Sequence, residues 1–448
     1  MCLSAQACAS AATEPAPGQA VRVEPLGAQP GVPAAQPEFP VTQPQAPAAE
    51  PLAQRPPAPD EPVTQAQGPA ASPPSPGQRA RRPRRDRGTL TNPERAGPAP
   101  APDVFSEGLD PTARAFSTLG YRLSWSGASV TPADASVTWV GLAGPSVLVA
   151  DNSGAVSALS VESGALRWAQ QPDSPNSRVL GVVAFANLLG IVTEGTVTFY
   201  ESGTGNLTPL GTDRTPRQRL ARVASTEPLA IGNLLVYGTS DGFASAHRMD
   251  TGTSAWSYRV GATITANPVR SAPAQIVFSS DAGEVLNLDA GTGQAVGRFT
   301  AFGGPGAPLA TSDRAIFVAS LDQSLYALAP DGRVIWRLRN QKPLDQPPVF
   351  VDGRLYVTLP DKGLSLIEPD TGEIRWSNPM VSGEIISARG TDVIAWDGTT
   401  AWRIDRQSGD VLSSTALPGY TRLLTDKPVG GSIYAVTAQG RVSRFIPR

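Results

Sequence analysis

Seven glycines recur along the chain, each preceded by Ser, Thr or Asp: Gly164, Gly205, Gly252, Gly293, Gly332, Gly372 and Gly409. Their successive spacings are 41, 47, 41, 39, 40 and 37 residues. A period near 40 constrains the fold more than any other feature of the sequence. Each unit is too small to bury its own apolar face and must stack against its neighbours, as in a propeller or solenoid. The pair before each repeat's last strand is turn chemistry. Glycine accepts a positive φ, and the small polar side chain bonds nearby backbone.

Upstream of each turn runs a short β-branched or aromatic segment, such as "SVLVAD" at 146, "LLVYGT" at 234, "AIFVAS" at 315 and "SIYAVT" at 432. Turn signals follow each one, then a second strand, the glycine turn and a third strand, with a shorter apolar segment in front. Four short antiparallel strands per repeat are the content of one propeller blade. Eight such segments occur but only seven glycine turns, so the last repeat, ending "GRVSRFIPR" at 440–448, lacks its outer strand. The orphan strand "GYRLSWS" at 120–126 supplies one. An open last blade would leave an unpaired edge. The expectation is therefore an all-β, eight-bladed propeller of four-stranded antiparallel blades over residues 119–448, its ring closed by the N-terminal strand.

Four residues after the glycine, four repeats carry tryptophan (Trp168, Trp256, Trp336 and Trp376), and Trp125 holds the equivalent place in the split repeat, which has no turn glycine. These are expected to be structural, each docking on the turn of a neighbouring blade with its indole N–H seeking a partner there. Pro209, Gly297 and Ser413 replace them in the second, fourth and seventh repeats, where looser blade contacts are expected.

The segments "ALSVESGALRW" (158–168), "AHRMDTGTSAW" (246–256) and "LIEPDTGEIRW" (366–376) resemble the tryptophan-docking motif of the PQQ-type eight-bladed propellers. The resemblance covers residues 120–448. In layout the chain is most similar to the BamB family of outer-membrane assembly lipoproteins. That likeness implies a non-enzymatic protein-binding scaffold in the cell envelope, whose partner is the outer-membrane barrel insertase. It also implies a partner surface on an inter-blade loop, here "SYRVGATITANP" (257–268), with Arg259 as the contact residue. Two other readings compete: a ligand-binding or sensory propeller using its central funnel, and a PQQ-dependent dehydrogenase. The dehydrogenases hold PQQ with Ca²⁺ and often a pair of adjacent cysteines, whereas both cysteines of this chain, Cys2 and Cys8, lie outside the repeats.

Composition divides the chain at residue 118. Residues 1–118 hold 24 of the 45 prolines and neither Trp nor Tyr. A segment so poor in apolar surface is expected to be disordered. Its first residues, 1–11, read as a signal-peptide remnant. Ala5-Gln6-Ala7 is a small-residue cleavage pattern, and Cys8 directly after it is the candidate lipidation site, which would place the protein on the periplasmic side of the outer membrane. "RARRPRRDR", Arg79–Arg87, has six arginines in nine residues and is a candidate contact for an anionic surface. The net charge of −2 gives no case for specific nucleic-acid binding. No run of 18 apolar residues occurs, so no transmembrane helix is expected.

The chemistry of catalysis is sparse. His247 is the single histidine, so neither a His-based metal cluster nor a triad with a second histidine can be assembled around it. It reads as a satisfied strand residue. Asp241, Asp281, Asp322, Asp361 and Asp397 recur with the repeat and read as turn residues, not as cation ligands. "GGPGAP" at 303–308 lacks the lysine and following helix of a phosphate loop. No catalytic, cofactor-binding or metal-binding residue is expected.

Overall fold

The computed structural model of the chain describes residues 111–185, 187–211 and 215–448. Cys8 and Arg79–Arg87 lie outside them. The described chain forms eight four-stranded antiparallel sheets and one helix, an eight-bladed propeller. Blades 1 to 7 occupy residues 137–170, 179–219, 229–259, 269–300, 310–339, 349–378 and 384–416. Blade 8 takes its three inner strands from Tyr420–Thr425, Ile433–Thr437 and Arg441–Pro447, and its outer strand from Tyr121–Ala128. The closure pairs Tyr121 with Pro447 and runs antiparallel to Ala128 opposite Arg441. The ring thus closes as the count of strands and turns requires.

The second strand of each blade is buried along its whole length or nearly so, as in Ser146–Asp151 and Leu234–Gly238. Period-2 alternation explains it. Leu235 and Tyr237 face blade 2, while Leu234 and Val236 face blade 4. A blade sandwiched between two others has no solvent face, so its central strands read as unbroken apolar runs. Eight apolar clusters result, one at each blade-to-blade seam.

All seven turn glycines adopt left-handed backbone, with φ from 69° to 90°. The preceding hydroxyl accepts the N–H two residues on at Ser163, Thr204, Thr292, Thr371 and Ser408. After the turn the outer strand carries a bulge in six blades, which skips one residue (Ala255 in blade 3, Ile335 in blade 5) and aims the next at the neighbouring blade.

In blades 1, 3, 5 and 6 that next residue is the tryptophan, and a bulge that skips Ser124 presents Trp125 likewise in blade 8. Trp125, Trp168, Trp256, Trp336 and Trp376 donate Nε1–H to Val161, Ser202, Ala290, Pro369 and Arg406 carbonyls at 2.9, 3.2, 2.8, 2.7 and 3.1 Å. Each acceptor lies three residues before the next blade's turn glycine. The ring rests on that glycine itself: a Cβ at Gly293 would stand 2.6 Å from the Trp256 ring.

Two expectations need correction. The residue four places after the glycine is not the docking residue at every seam, and other polar donors serve the seams without tryptophan. At blades 2 and 3 the donor is Gln218, whose side-chain amide reaches Met249 O at 2.8 Å, again three residues before the turn glycine. Pro209 is not in the docking position. Residues between Leu207 and Arg217 intervene before the outer strand Arg217–Arg219, which also accounts for the 47-residue spacing. At blades 4 and 5, Gly297 admits the turn backbone directly, and Asn287, opposite it, donates to Pro330 O at 2.9 Å. At blades 7 and 8, Ser413 donates to Thr118 O at 2.8 Å.

The second correction concerns residues 111–118, which composition assigns to the tail. They form the helix Pro111–Thr118. Proline suits a first helical turn, and Phe116 with Leu119 places two apolar side chains one turn apart. Phe116 is fully buried and stacks on Phe445 with ring centroids 3.6 Å apart. The helix covers the one seam where the chain ends replace a turn.

Candidate functional site

The meander order of each blade puts two kinds of connection at opposite ends. Links between blades and the turns between second and third strands lie on one face, called here the loop face. The other two hairpin turns lie on the opposite face. The innermost strands line the central channel and are mostly half-buried, as in Leu229–Ile231 and Val269–Ala272.

At the loop-face mouth, blades 1, 3 and 4 are tied together. Trp139 Nε1–H donates to Glu227 Oε1 at 3.1 Å. Asn267 Nδ2 donates to Glu227 Oε2 at 3.2 Å, and the Glu227 N–H donates to Asn267 Oδ1 at 2.9 Å. Glycines make the space: a Cβ at Gly141 would strike the Trp139 ring, and one at Gly181 would strike Pro228 and Glu227. Burial pushes the Glu227 carboxyl above its ordinary range, against the Trp139 hydrogen bond, which lowers it.

Between blades 6, 7 and 8 the same mouth opens into a cavity of about 890 Å³. Its walls include Asp345, Glu384, Trp396, Asp397 and Arg422. Glu384 and Trp396 are directly opposed across neighbouring strands. Burial raises the Glu384 carboxyl, and Arg422 on the next blade partly offsets this. Asp397 is different. Burial works to raise it, but N–H groups of Thr400 and Thr399 and the hydroxyls of Thr399 and Ser382 hold it below its ordinary value. A second cavity, about 640 Å³, lies on the opposite face beside Arg270, Arg314 and Asp370.

The loop face also carries the most exposed apolar side chains. Phe302, on the link from blade 4 to blade 5, is 96% exposed, and Met380, on the link from blade 6 to blade 7, is 82% exposed. Arg259 ends the outer strand Thr253–Arg259 and is exposed on this face. The loop it leads into is fixed: Ile264 is fully buried, its N–H bonds Thr239 O, and its carbonyl accepts from Ser225.

His247 is buried, and its Nε2 lies 2.9 Å from Gln218 Oε1. Because the Gln218 amide nitrogen serves Met249, its oxygen must accept, so Nε2 carries the proton. The histidine holds the seam donor in place. Of the recurrent aspartates, Asp397 accepts turn N–H groups, whereas Asp241, Asp281, Asp322 and Asp361 bind neighbouring side chains. Among the described residues no group of three or more His, Cys, Asp or Glu is placed to hold a metal ion, and no helix is long and apolar enough to cross a membrane.

Trp139, Glu227, Glu384 and Trp396 are absent from the sequence reading. The available signal was the remainder: of eight tryptophans, Trp139, Trp396 and Trp402 fall outside the docking register.

A family model described as outer membrane protein assembly factor BamB matches residues 112–282 and 281–445. A curated relative, outer membrane protein assembly factor BamB of Burkholderia pseudomallei (strain K96243), is 26% identical over 204 residues. That alignment covers 41% of this chain and 53% of the relative, so the chain spans about half the length of the curated relative it matches. Among solved structures, BamB from Moraxella catarrhalis superposes with a TM-score of 0.58 at 17% identity, covering 73% of this chain and 97% of that one. The computationally designed Ika8 protein gives 0.58 at 15% identity, over 72% and 99%. At these identities the structural likeness shows the fold alone.

Proposed function

The chain belongs to the outer membrane protein assembly factor BamB family, and from that premise we propose that it is a non-enzymatic scaffold of the cell envelope. It binds a protein partner, the outer-membrane barrel insertase, and assists assembly of barrel proteins. The observation that carries this reading is the loop face. Phe302 and Met380 stand almost wholly in solvent there, and apolar side chains held out on ordered links favour burial against another protein. Arg259 shares the face and supplies a charged contact at its edge. Catalysis has no comparable support. The single histidine is engaged with Gln218 at a blade seam.

Acylation of Cys8 and contact of Arg79–Arg87 with anionic headgroups extend the same proposal. Intact mass of the native protein and liposome co-sedimentation test them.

The test of the central reading is affinity capture of the tagged full-length protein from solubilised native envelope, read by mass spectrometry. Enrichment of a large outer-membrane barrel protein with periplasmic repeats is expected. The double variant Phe302→Ser, Met380→Ser is expected to lose at least ten-fold of that enrichment, and Arg259→Ala a smaller share. Recovery of soluble cytoplasmic proteins alone would reduce the family likeness to a shared fold.

A further inference from the structure

The two sides of the channel mouth are built from similar groups in opposite states. On the blade 1–4 side, an indole N–H, a carboxylate and a side-chain amide satisfy one another. On the blade 6–8 side they do not. Trp396 is 8% exposed and forms part of the cavity wall, yet among the described residues its indole N–H has no acceptor. Glu384 stands opposite it and Arg422 lies on the adjoining inner strand, but among the described residues no ion pair within 4.0 Å joins the two. A buried donor without an acceptor costs about 1–3 kcal/mol. The half-buried Glu384 carboxyl and the exposed Arg422 guanidinium are not paired with each other and stand open to a ligand. The groups around them are already engaged: Lys342 pairs with Asp361 at 2.8 Å, and Asp397 accepts from its own turn.

We propose that this cavity binds a basic peptide segment. An arginine or lysine side chain meets the Glu384 carboxylate, with Asp345 as a second anion at the rim, and backbone carbonyls of the peptide accept from Arg422 and Trp396. The volume, about 890 Å³, falls within the roughly 300–1,000 Å³ of ligand sites. An organic cation could come from a polypeptide or from a free polyamine. A polyamine has no carbonyl and would leave Trp396 and Arg422 unmet, so the peptide is the better complement. This site requires no envelope partner, and it stands or falls independently of the insertase reading.

The test is fluorescence anisotropy with the full-length protein and a labelled, end-capped, alanine-rich hexapeptide bearing one central arginine. A citrulline counterpart keeps the shape and removes the charge. Saturable binding is expected for the arginine peptide, at least ten-fold weaker for citrulline. Glu384→Gln is expected to weaken the arginine peptide at least ten-fold without any fall in its thermal midpoint. Glu368→Gln, beside the opposite-face cavity, should leave affinity unchanged. Should Glu384→Gln fail to fold, the exposed Asp345→Asn is expected to weaken the peptide about three-fold.

Equal affinity for the two peptides, or indifference to both carboxyl substitutions, would overturn the proposal. Spermidine binding as tightly as the arginine peptide would reassign the site to a small amine and overturn it too. Failure of the wild-type chain to bind the arginine peptide would also remove the assignment.

Discussion

At the scale of single residues the ring is held by a repeated trade between an indole and a glycine. Trp256 lies on Gly293 and bonds Ala290 O at 2.8 Å. Gly293→Ala therefore meets two penalties: an unfavourable φ of 72° and a Cβ 2.6 Å from the ring. It is expected to destabilise by more than about 1 kcal/mol. Trp256→Ala is expected to cost about 3–5 kcal/mol. The double variant should cost less than the sum, because without the ring only the backbone strain remains. Chemical denaturation of the four proteins measures that coupling, and strict additivity would contradict the docking geometry. The tryptophan seams were legible because the glycine-plus-four spacing survives in four repeats and the strand count places Trp125 in the fifth. Gln218 was not, because the extra residues before its strand break the spacing, and Asn287 was not, because it acts from the neighbouring strand.

Glu384 gives a residue-scale prediction with a definite sign. Burial raises its folded pKa above the ordinary 4.5. Between 4.5 and the raised value the folded state keeps a proton that the unfolded state has released, so stability falls as pH rises through that window. Above the window the ionised carboxyl weighs against the folded state in full. Glu384→Gln cannot ionise. It is expected to melt above wild type at pH 7, with the difference vanishing below pH 4.5, as scanning calorimetry across pH would show.

At the scale of elements, one device is reused with local repairs. A turn fixed by glycine and a hydroxyl, followed by a one-residue bulge, aims the docking residue in blade after blade. The strands themselves could be read from the sequence, because double-sided burial makes them short apolar runs. The helix Pro111–Thr118 could not. Eight residues with a single aromatic carry no periodic signal, and the proline-rich segment before them masks the boundary. Its energetic weight rests on Phe116, fully buried against Phe445, Leu119 and Tyr121. Phe116→Ala is expected to cost about 3–5 kcal/mol. Hydrogen exchange should then rise first in Arg441–Pro447 and Val411–Ala416, the strands the helix covers, and more slowly on the far side of the ring.

At the scale of the whole molecule the ring is closed by strand pairing and not by a covalent link. Tyr121–Ala128 completes blade 8 through its ladder to Arg441–Pro447, and Trp125 docks on blade 1 through Val161 O, an acceptor shared with Arg444 at 3.1 Å. Removing residues 1–128 would take away the outer strand and the dock together. It would leave the last strand's N–H and C=O groups as an open edge beside an uncovered blade 1 turn. Such an edge pairs with whatever strand it meets, so the truncated chain is expected to associate through blade 8, seen as a concentration-dependent mass in light scattering. A synthetic peptide of residues 111–130 supplied in trans should restore the monomer, since it carries the helix, the closing strand and Trp125. The same peptide with Trp125→Ala should rescue more weakly, having the ladder but not the dock. A truncated ring that stayed monomeric without the peptide would mean that the seven remaining seams hold blade 8 in place and that closure adds little.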